Sequence, residues 1–399
     1  MPSYQLDDKS KAISAATDDK DWHVMSVPNF WNPIRIWLHG ETMPSPTGPQ
    51  PKGVSDTYYQ QETDRCANYT FDYKKTEAAW YRQWIELPNN IEGKNMTLTF
   101  DAVSKMAEIY INGTLAGSNI GMFGEIQVDG SKLFKPGKNL VVVKVSRNLD
   151  GSQSSADDLN TAIDFYYSSV REEDKSYKTE SPLIKNILKE IAHGFYGDNP
   201  AGIWQPVKLT ITDPVKVEDV FIKPALDGAT FDVTLKNKDS KKKIFNLYTD
   251  IEDSETGAML YSGLSLKKIE LAAGEEKLLS YNIKGLKPRL WTPQHPNLYD
   301  FKFRVETEKG EKLDQKIETS GFRTFEVKDG LFWLNGKKYS LRGGNHTPFA
   351  LAPNDLNLAN TFYQLMKAGH IDVTRTHTTP YNKLWMTAAD KNGVGISFE

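Results

Sequence analysis

The chain has 399 residues, 39% of them hydrophobic and 25% charged, and its formal net charge is −3. At roughly 100–200 residues per domain, this length predicts several domains of ordinary globular composition. A net charge of −3 gives no electrostatic argument for binding nucleic acid, which would favour a basic face. No apolar run is long enough to span a membrane. The one cysteine, Cys66, excludes an intrachain disulfide and a cysteine-based metal cluster.

Short runs rich in β-branched and aromatic residues dominate residues 22–147. Runs such as AAWYRQWIEL (78–87) and NLVVVKVSRN (139–148) are separated by Pro-Asn, Asn-Gly and Pro-Gly pairs, which predicts strands and turns throughout. In YINGTLAG (110–117), the Asn-Gly pair supplies the positive φ angles that a tight hairpin needs. Many short strands of this kind favour a β-sandwich of the jelly-roll type.

Residues 150–200 interrupt this pattern with a polar loop and a stretch of helical spacing at 180–194, which we interpret as an insertion. AGIWQPVKLTIT (201–212) restores strand character and is expected to complete the first sheet, so the first domain is predicted to span 1–213. Residues 214–326 form a second all-β unit of immunoglobulin-like size, without the Cys…Trp…Cys pattern of antibody domains.

The period changes in residues 327–399. A hairpin (329–339) and a strand expected to be buried, SLRGGN (340–345), precede two helical stretches and two further strands. Each helix is followed by a glycine, Gly369 or Gly393, as expected of a C-cap. The β-α-β-α-β order predicts a parallel sheet with crossover helices. Three strands cannot close a (β/α)8 barrel, so this region is predicted to be the first three βα steps of a truncated TIM barrel.

Polar residues end all three of these predicted strands: Asn345 with His346, Arg375 with His377, and Glu399. In a (β/α)8 barrel, the carboxyl ends of the strands carry the active site. Each residue alone could equally be a hydrogen-bonded rim group or part of a salt bridge at the other end of a barrel. Three consecutive strands that deliver polar groups to one rim favour a functional site.

Several motifs, in this order, resemble the family-2 glycoside hydrolases, which include β-galactosidases, β-glucuronidases and β-mannosidases. WHVMSVPNFW (22–31), AAWYRQWIELP (78–88), YINGTLAG and AGIWQPVKL (201–209) are similar to that family's jelly-roll domain. GFRTFEVKDGLFWLNGKKYSLRGGNHTP (321–348) resembles its passage from an immunoglobulin-like domain into the first barrel strand. LMKAGHIDVTRTHTTP (365–380) and AADKNGVGISFE (388–399) resemble strands two and three, so the resemblance runs from about residue 22 to 399.

The resemblance implies retaining, exo-acting hydrolysis of a β-glycosidic bond by two carboxyl groups about 5–5.5 Å apart. In the family those glutamates come from strands four and seven, so the chain is expected to lack both and to be inactive alone. Arg375 matches the arginine that hydrogen-bonds the nucleophile and keeps it ionised. Glu399 resembles the third-strand acidic residue that lies in the pocket and binds Mg²⁺ in some β-galactosidases. The resemblance therefore implies no required cofactor and allows Mg²⁺ as the only one.

The remaining candidate residues depart from the family pattern. His377 falls one residue short of the usual Arg-Thr-Ser-His spacing, and Asn345-His346 stands where the family often has Asn-Arg-His. Asp198 is the carboxylate nearest to a position where many members have a substrate-binding Asp and this chain has Tyr196. We assign these residues to substrate binding or support rather than to catalysis.

The sequence therefore predicts the N-terminal part of a β-galactosidase-like glycosidase acting on an oligosaccharide or glycoside, with no nucleic-acid or membrane partner. Homo-oligomerisation stays open, as does location: cytoplasmic, or periplasmic or secreted if a signal precedes the chain. One alternative is a non-catalytic carbohydrate-binding protein of two β-sandwiches, for which the β-α-β-α-β region has no use. Another is a family member that serves as a scaffold and has lost one or both glutamates.

Overall fold

The computed structural model describes residues 1–33, 54–147, 201–345, 352–376 and 380–398. The chain divides into two compact units, the first holding 1–92, 96–210 and 350–354 and the second holding 93–95, 211–349 and 355–399. The predicted insertion at 150–200 lies outside the described residues. Within the described ranges, no helix has both the length and the apolar character needed to cross a membrane.

The first unit is built on two β-sheets. The strands are β1 (Ala78–Leu87), β2 (Asn95–Phe100), β3 (Met106–Ile111), β4 (Thr114–Ile120), β5 (Ile126–Asp129), β6 (Gly137–Ser146) and β7 (Val207–Thr212). They pair in the orders β1-β6-β3-β4 and β5-β2-β7. The strand predicted over 201–212 is extended over residues 207–212 and is the end strand of the second of these sheets. The β3–β4 hairpin turns at Asn112 (φ 49°) and Gly113 (φ 82°), as predicted.

Both sheets contribute to one apolar core, which confirms a β-sandwich. Trp31, Phe100 and Ile109 are among its most deeply buried members. A smaller cluster around Trp80 lies on the opposite face of the β1-containing sheet. The N-terminal segment covers this cluster through Ala12 of helix α1 (Lys9–Ile13).

A second helix, α2 (Val54–Ala67), lies where strands and turns were predicted, so the prediction is wrong for these residues. The segment VSDTYYQQETDRCA lacks the apolar–polar alternation of a half-buried strand. It also places Gln60 four residues before Asp64, and the Gln60 amide donates to the Asp64 carboxylate at 2.7 Å. Residues four apart are neighbours on a helix surface, and hydrogen bonds between them stabilise the helix.

The second unit begins with another β-sandwich. Its strands are β8 (Val215–Pro224), β9 (Ala229–Asn237), β10 (Lys243–Asp253), β11 (Met259–Leu271), β12 (Glu276–Ile283), β13 (Tyr299–Thr307) and β14 (Lys312–Ser320). They form the sheets β11-β10-β13-β14 and β12-β9-β8. Alternate residues of β9 and β13 are buried, and Phe231, Phe301 and Phe303 are fully enclosed between the sheets.

A small antiparallel sheet and a parallel sheet follow. β15 (Phe325–Lys328), β16 (Leu331–Leu334) and β17 (Lys337–Lys338) contain the predicted hairpin. β18 (Gly343–Asn345), β19 (Val373–Arg375) and β20 (Gly395–Ser397) lie parallel in that order. Helices α3 (Leu356–Ala368) and α4 (Lys383–Asn392) connect them, which confirms the predicted β-α-β-α-β order.

One local prediction in this region needs correction. The SLRGGN segment is not a buried strand, because only its last three residues are extended and Leu341 is 36% exposed. β18 is the end strand of the described sheet, so one of its edges meets no strand among the described residues. The two predicted C-cap glycines are confirmed: Gly369 caps α3 and Gly393 caps α4. Gly393 has a left-handed backbone (φ 70°), whereas Gly369 has φ −80° and the left-handed residue there is His370.

Candidate functional site

The carboxyl ends of the parallel strands bring three polar residues into one row. Asn345 and Arg375 are the last residues of β18 and β19, and they pair directly in the parallel register. Arg375 also pairs with Ser397, the last residue of β20. Because neighbouring strands lie about 4.8 Å apart, Asn345, Arg375 and Ser397 are immediate neighbours along this edge.

The row lies on the face of the sheet that α3 does not cover. A Cβ added at Gly344 would lie 3.9 Å from the Met366 side chain of α3. Thr374, the partner of Gly344, is correspondingly buried at 2% exposure. Because side chains alternate along a strand, Asn345 and Arg375 point to the other face, and both are exposed.

The chain that leaves β19 is held on both sides of His377. The main-chain N–H of Thr376 donates to the Ser397 carbonyl at 3.1 Å, and Thr376 is 3% exposed. The Tyr381 hydroxyl lies 3.5 Å from the Arg375 carbonyl oxygen, and its ring packs against Trp385 with centroids 6.1 Å apart. These contacts hold Thr376 and Tyr381 in place on either side of residues 377–379.

The structure therefore brings together two of the predicted site residues, Asn345 and Arg375. The others, His346, His377, Asp198 and Glu399, lie outside the described residues. Sequence reasoning did not select Ser397, which ends β20. It could have been found from the predicted strand end at Glu399, because residues two apart in a predicted strand are expected on the same side. Sequence reasoning also passed over Tyr381, because an aromatic residue just before a helix is usually a packing residue.

The described groups at this edge suit hydrogen bonding to oxygen-rich ligands. A guanidinium presents five N–H donors in a planar fork, and an asparagine amide both donates and accepts. Mg²⁺ prefers several oxygen ligands, including carboxylates. Of the three described strand-end residues, Asn345 and Ser397 carry side-chain oxygen atoms, and Arg375, which is a cation, is on the strand between them. This set has no carboxylate, so a Mg²⁺ site here would depend on Glu399. The described residues contain no cluster of three or more His, Cys, Asp or Glu side chains placed to hold a metal.

The amino end of β19 is organised around one buried carboxylate. Asp372, with a side chain 2% exposed, accepts from Lys367 Nζ at 2.6 Å, from the Tyr339 hydroxyl at 2.7 Å and from Arg342 Nη2 at 3.3 Å. Burial alone would raise the pKa of Asp372, but the Lys367 and Tyr339 hydrogen bonds and the Lys367 charge outweigh burial and lower it. Burial and the Asp372 acceptor raise the pKa of Tyr339 to about 12. This end carries ion pairs, whereas the carboxyl end presents exposed polar groups.

Two family models match the chain in separate regions. Residues 52–181 match the galactose-binding-like domain of glycosyl hydrolase 2, and residues 215–323 match glycosyl hydrolases family 2. The first match includes β1 to β6 and the second the sandwich of the second unit.

Curated relatives come from the same family. A Formosa agariphila protein with a provisional β-glucuronidase name is 27% identical over 85% of this chain and 32% of its own length. The β-galactosidase of Kluyveromyces lactis is 25% identical over 94% of this chain and 34% of its own length. The chain thus spans about a third of the length of these relatives.

Solved structures share the fold. A β-glucuronidase of Bacteroides uniformis covers 97% of this chain with a TM-score of 0.65 and 22% identity, over 40% of its own length. Another family-2 β-glucuronidase gives a TM-score of 0.69 at 20% identity, covering 97% of this chain and 37% of its own. With both family models and these relatives in agreement, the mostly-β, multidomain chain belongs to the glycosyl hydrolases of family 2.

Proposed function

We propose that the product of the gene encoding this chain is a retaining, exo-acting β-glycosidase of β-galactosidase-like type that hydrolyses an oligosaccharide or glycoside. In this proposal the chain supplies a jelly-roll domain, an immunoglobulin-like domain and the first three βα steps of a (β/α)8 barrel. Family membership supports the class of reaction, and relatives with β-glucuronidase and β-galactosidase names mark the range of sugars to test.

The observation that carries the proposal is the pairing of Asn345 with Arg375 at the carboxyl ends of adjacent parallel strands. Active-site groups occupy this end of the strands in (β/α)8 enzymes, whereas the other end contributes stability. The ion-paired Asp372 at the amino end fits the same division. The two exposed side chains at this edge can hydrogen-bond to hydroxyl groups, which supports binding of a hydroxyl-rich substrate.

The chemistry assigns separate roles to these groups. Retaining hydrolysis requires one carboxyl group as acid and base and a second as nucleophile. We propose that neither group belongs to these 399 residues and that the Arg375 guanidinium holds the nucleophile ionised, because a nearby cation lowers the pKa of a carboxyl group. Asn345, His346, His377 and Asp198 would bind substrate hydroxyls, and Glu399 would line the pocket, with Mg²⁺ bound there if the enzyme uses a metal.

The test is hydrolysis by the product of the complete gene. It is assayed against p-nitrophenyl β-galactoside, β-glucuronide and β-mannoside, in parallel with the 399-residue chain alone. We expect one sugar to be cleaved by the gene product and none by the chain alone, and NMR of the first product should show the β-anomer. Release of the α-anomer would contradict the retaining mechanism.

The assay also separates the alternatives. Turnover by the 399-residue chain would show that its own residues suffice for catalysis and would overturn the proposed division of roles. A folded gene product that binds sugars without cleaving any of them would support the non-catalytic carbohydrate-binding interpretation.

A further inference from the structure

The strand that carries Asn345 has almost no side chains with which to fix its position. β18 consists of Gly343, Gly344 and Asn345 and pairs with β19 over three residues. Register is normally set by the pattern of side chains that a strand buries, and glycine-rich strands specify it weakly. A shift of one residue would move Asn345 along β19 by about 3.3 Å and turn its side chain to the other face. Something outside β18 must hold the register.

Asp372 is placed to hold the register of β18 against β19. It directly precedes β19, and its main-chain N–H donates to the carbonyl of Arg342, the residue directly before β18, at 2.8 Å. Its own carbonyl accepts from the N–H of Gly395, the first residue of β20, at 2.8 Å. The backbone of this one residue therefore connects all three strands at their amino ends.

The Asp372 side chain adds contacts that depend on register. The Arg342 guanidinium reaches the carboxylate at 3.3 Å across the β18–β19 boundary, and the Tyr339 hydroxyl reaches it at 2.7 Å from the same side. Lys367, in the last turn of α3, provides a third donor at 2.6 Å. Because the carboxylate is buried, a slip that withdraws Arg342 and Tyr339 leaves a buried charge with fewer donors, which is strongly unfavourable.

We propose that Asp372 is a positioning residue whose carboxylate locks the register of β18 against β19 and thereby holds Asn345 beside Arg375. Arg342 and Asp372 each lie three residues before the site residue on their own strand. The Arg342–Asp372 ion pair at the amino ends of the strands therefore sets the pairing of Asn345 with Arg375 at their carboxyl ends. The catalytic consequence rests on the proposed function, whereas the register lock does not.

The direct test measures hydrogen exchange of the amides in 343–345 and 373–375 of the 399-residue chain. Asp372→Asn keeps the size of the side chain but removes its charge, and Arg342→Gln removes one partner whose side chain is 58% exposed. We expect exchange in both segments to accelerate about tenfold or more in Asp372→Asn, and by less in Arg342→Gln. Asp253→Asn is the matched control, because Asp253 is another buried, arginine-paired carboxylate but lies in the sandwich.

The kinetic test uses the same three variants in the complete gene product. Displacement of the Arg375–Asn345 pair should lower kcat about tenfold with little change in KM, because misplaced groups lose transition-state contacts first. Asp253→Asn should lower thermal stability without lowering kcat relative to KM.

If exchange at 343–345 and 373–375 is unchanged in Asp372→Asn, or changes equally in Asp253→Asn, the register lock is overturned. If the wild-type gene product cleaves no sugar, the proposed function fails, and the exchange result still decides the inference.

Discussion

At the scale of single residues, the first unit depends on a buried asparagine. Asn139 is completely buried, and its amide donates to the carbonyls of Lys135 at 2.7 Å and Gly137 at 2.8 Å. Its carbonyl oxygen accepts from the Lys135 N–H at 3.0 Å and from the Asn112 side chain at 2.8 Å. One side chain thus joins the turn before β6 to the β3–β4 hairpin.

Asn139→Ala should therefore destabilise the first unit by about 3 kcal/mol, because several buried polar groups lose their partners at once. Urea denaturation followed by tryptophan fluorescence measures the change. Asn90→Ala, at an exposed position in the same unit, should stay within about 0.5 kcal/mol of wild type. Equal effects of the two substitutions would show that the Asn139 contacts contribute nothing.

Asp253 predicts how stability depends on pH. It accepts from the Thr256 main-chain N–H at 2.9 Å and pairs with Arg289, which lowers its pKa to about 2. An unfolded aspartate titrates at about 3.9, so the folded state binds this proton more weakly than the unfolded state. The stabilisation is therefore present above about pH 4 and is lost as the pH falls towards about 2.

Asp253→Asn should flatten the fall in stability of the second unit between about pH 4 and pH 2, because the variant has no proton to bind there. Urea midpoints across this range measure the effect. The exposed Asp227, changed to Asn, should leave the slope as in wild type. A slope unaltered by Asp253→Asn would assign the acid sensitivity to other carboxylates.

At the scale of elements, the two glycines that end α3 and α4 look alike in the sequence but differ in the fold. Gly393 has φ 70°, and a Cβ there would lie 2.3 Å from the Pro293 carbonyl oxygen. Gly369 has φ −80°, and its nearest such contact is 3.4 Å, from the Met366 carbonyl oxygen. Only the first position requires the absence of a side chain.

Gly393→Ala should cost about 3 kcal/mol, because it combines a left-handed backbone with a steric overlap that the Pro293 backbone cannot easily relieve. Gly369→Ala should be neutral or stabilising by up to about 1 kcal/mol, since alanine adopts its backbone conformation freely. Thermal unfolding of both variants measures the difference. Similar costs at the two positions would contradict the assignment of different caps.

What the sequence could predict at this scale follows from how local the signal is. The Asn112-Gly113 turn and the β-α-β-α-β order were predictable, because turn chemistry and apolar period act over a few residues. The difference between Gly369 and Gly393 was not, since it depends on Pro293, which is distant in sequence. The position of the N-terminal segment was not predictable either. Arg82 on β1 holds this segment by donating hydrogen bonds to the carbonyls of Ala12, Ser14 and Thr17.

The candidate site shows the same limit. Alternation and strand ends were enough to select Asn345 and Arg375, because parallel strands present their carboxyl ends at one edge. The Asp372 network was not selected, since it joins Tyr339, Arg342 and Lys367 across three separate elements. A carboxylate next to a strand start is common in sequences, and only its burial distinguishes this one.

At the scale of the whole molecule, stability and the proposed activity depend on different residues. Asn139 and Gly393 are buried and act through packing or backbone contacts, whereas Arg375 is exposed at a strand end. Substitutions of exposed side chains usually change the free energy of unfolding far less than substitutions that disrupt buried contacts. Substitutions of the two kinds should therefore separate unfolding from catalysis.

Arg375→Gln provides the test in the complete gene product. We expect kcat to fall about 100-fold, with a much smaller drop in unfolding temperature than in Asn139→Ala, because Arg375 is exposed and the substitution removes the cation proposed to keep the nucleophile ionised. Removal of the cation should also raise the pKa of the nucleophile, so the acid limb of the kcat/KM profile should move to higher pH. Asn139→Ala should show the opposite pattern, with a lower unfolding temperature and an unaltered pH profile. An acid limb that stays in place in Arg375→Gln would show that the guanidinium does not keep the nucleophile ionised.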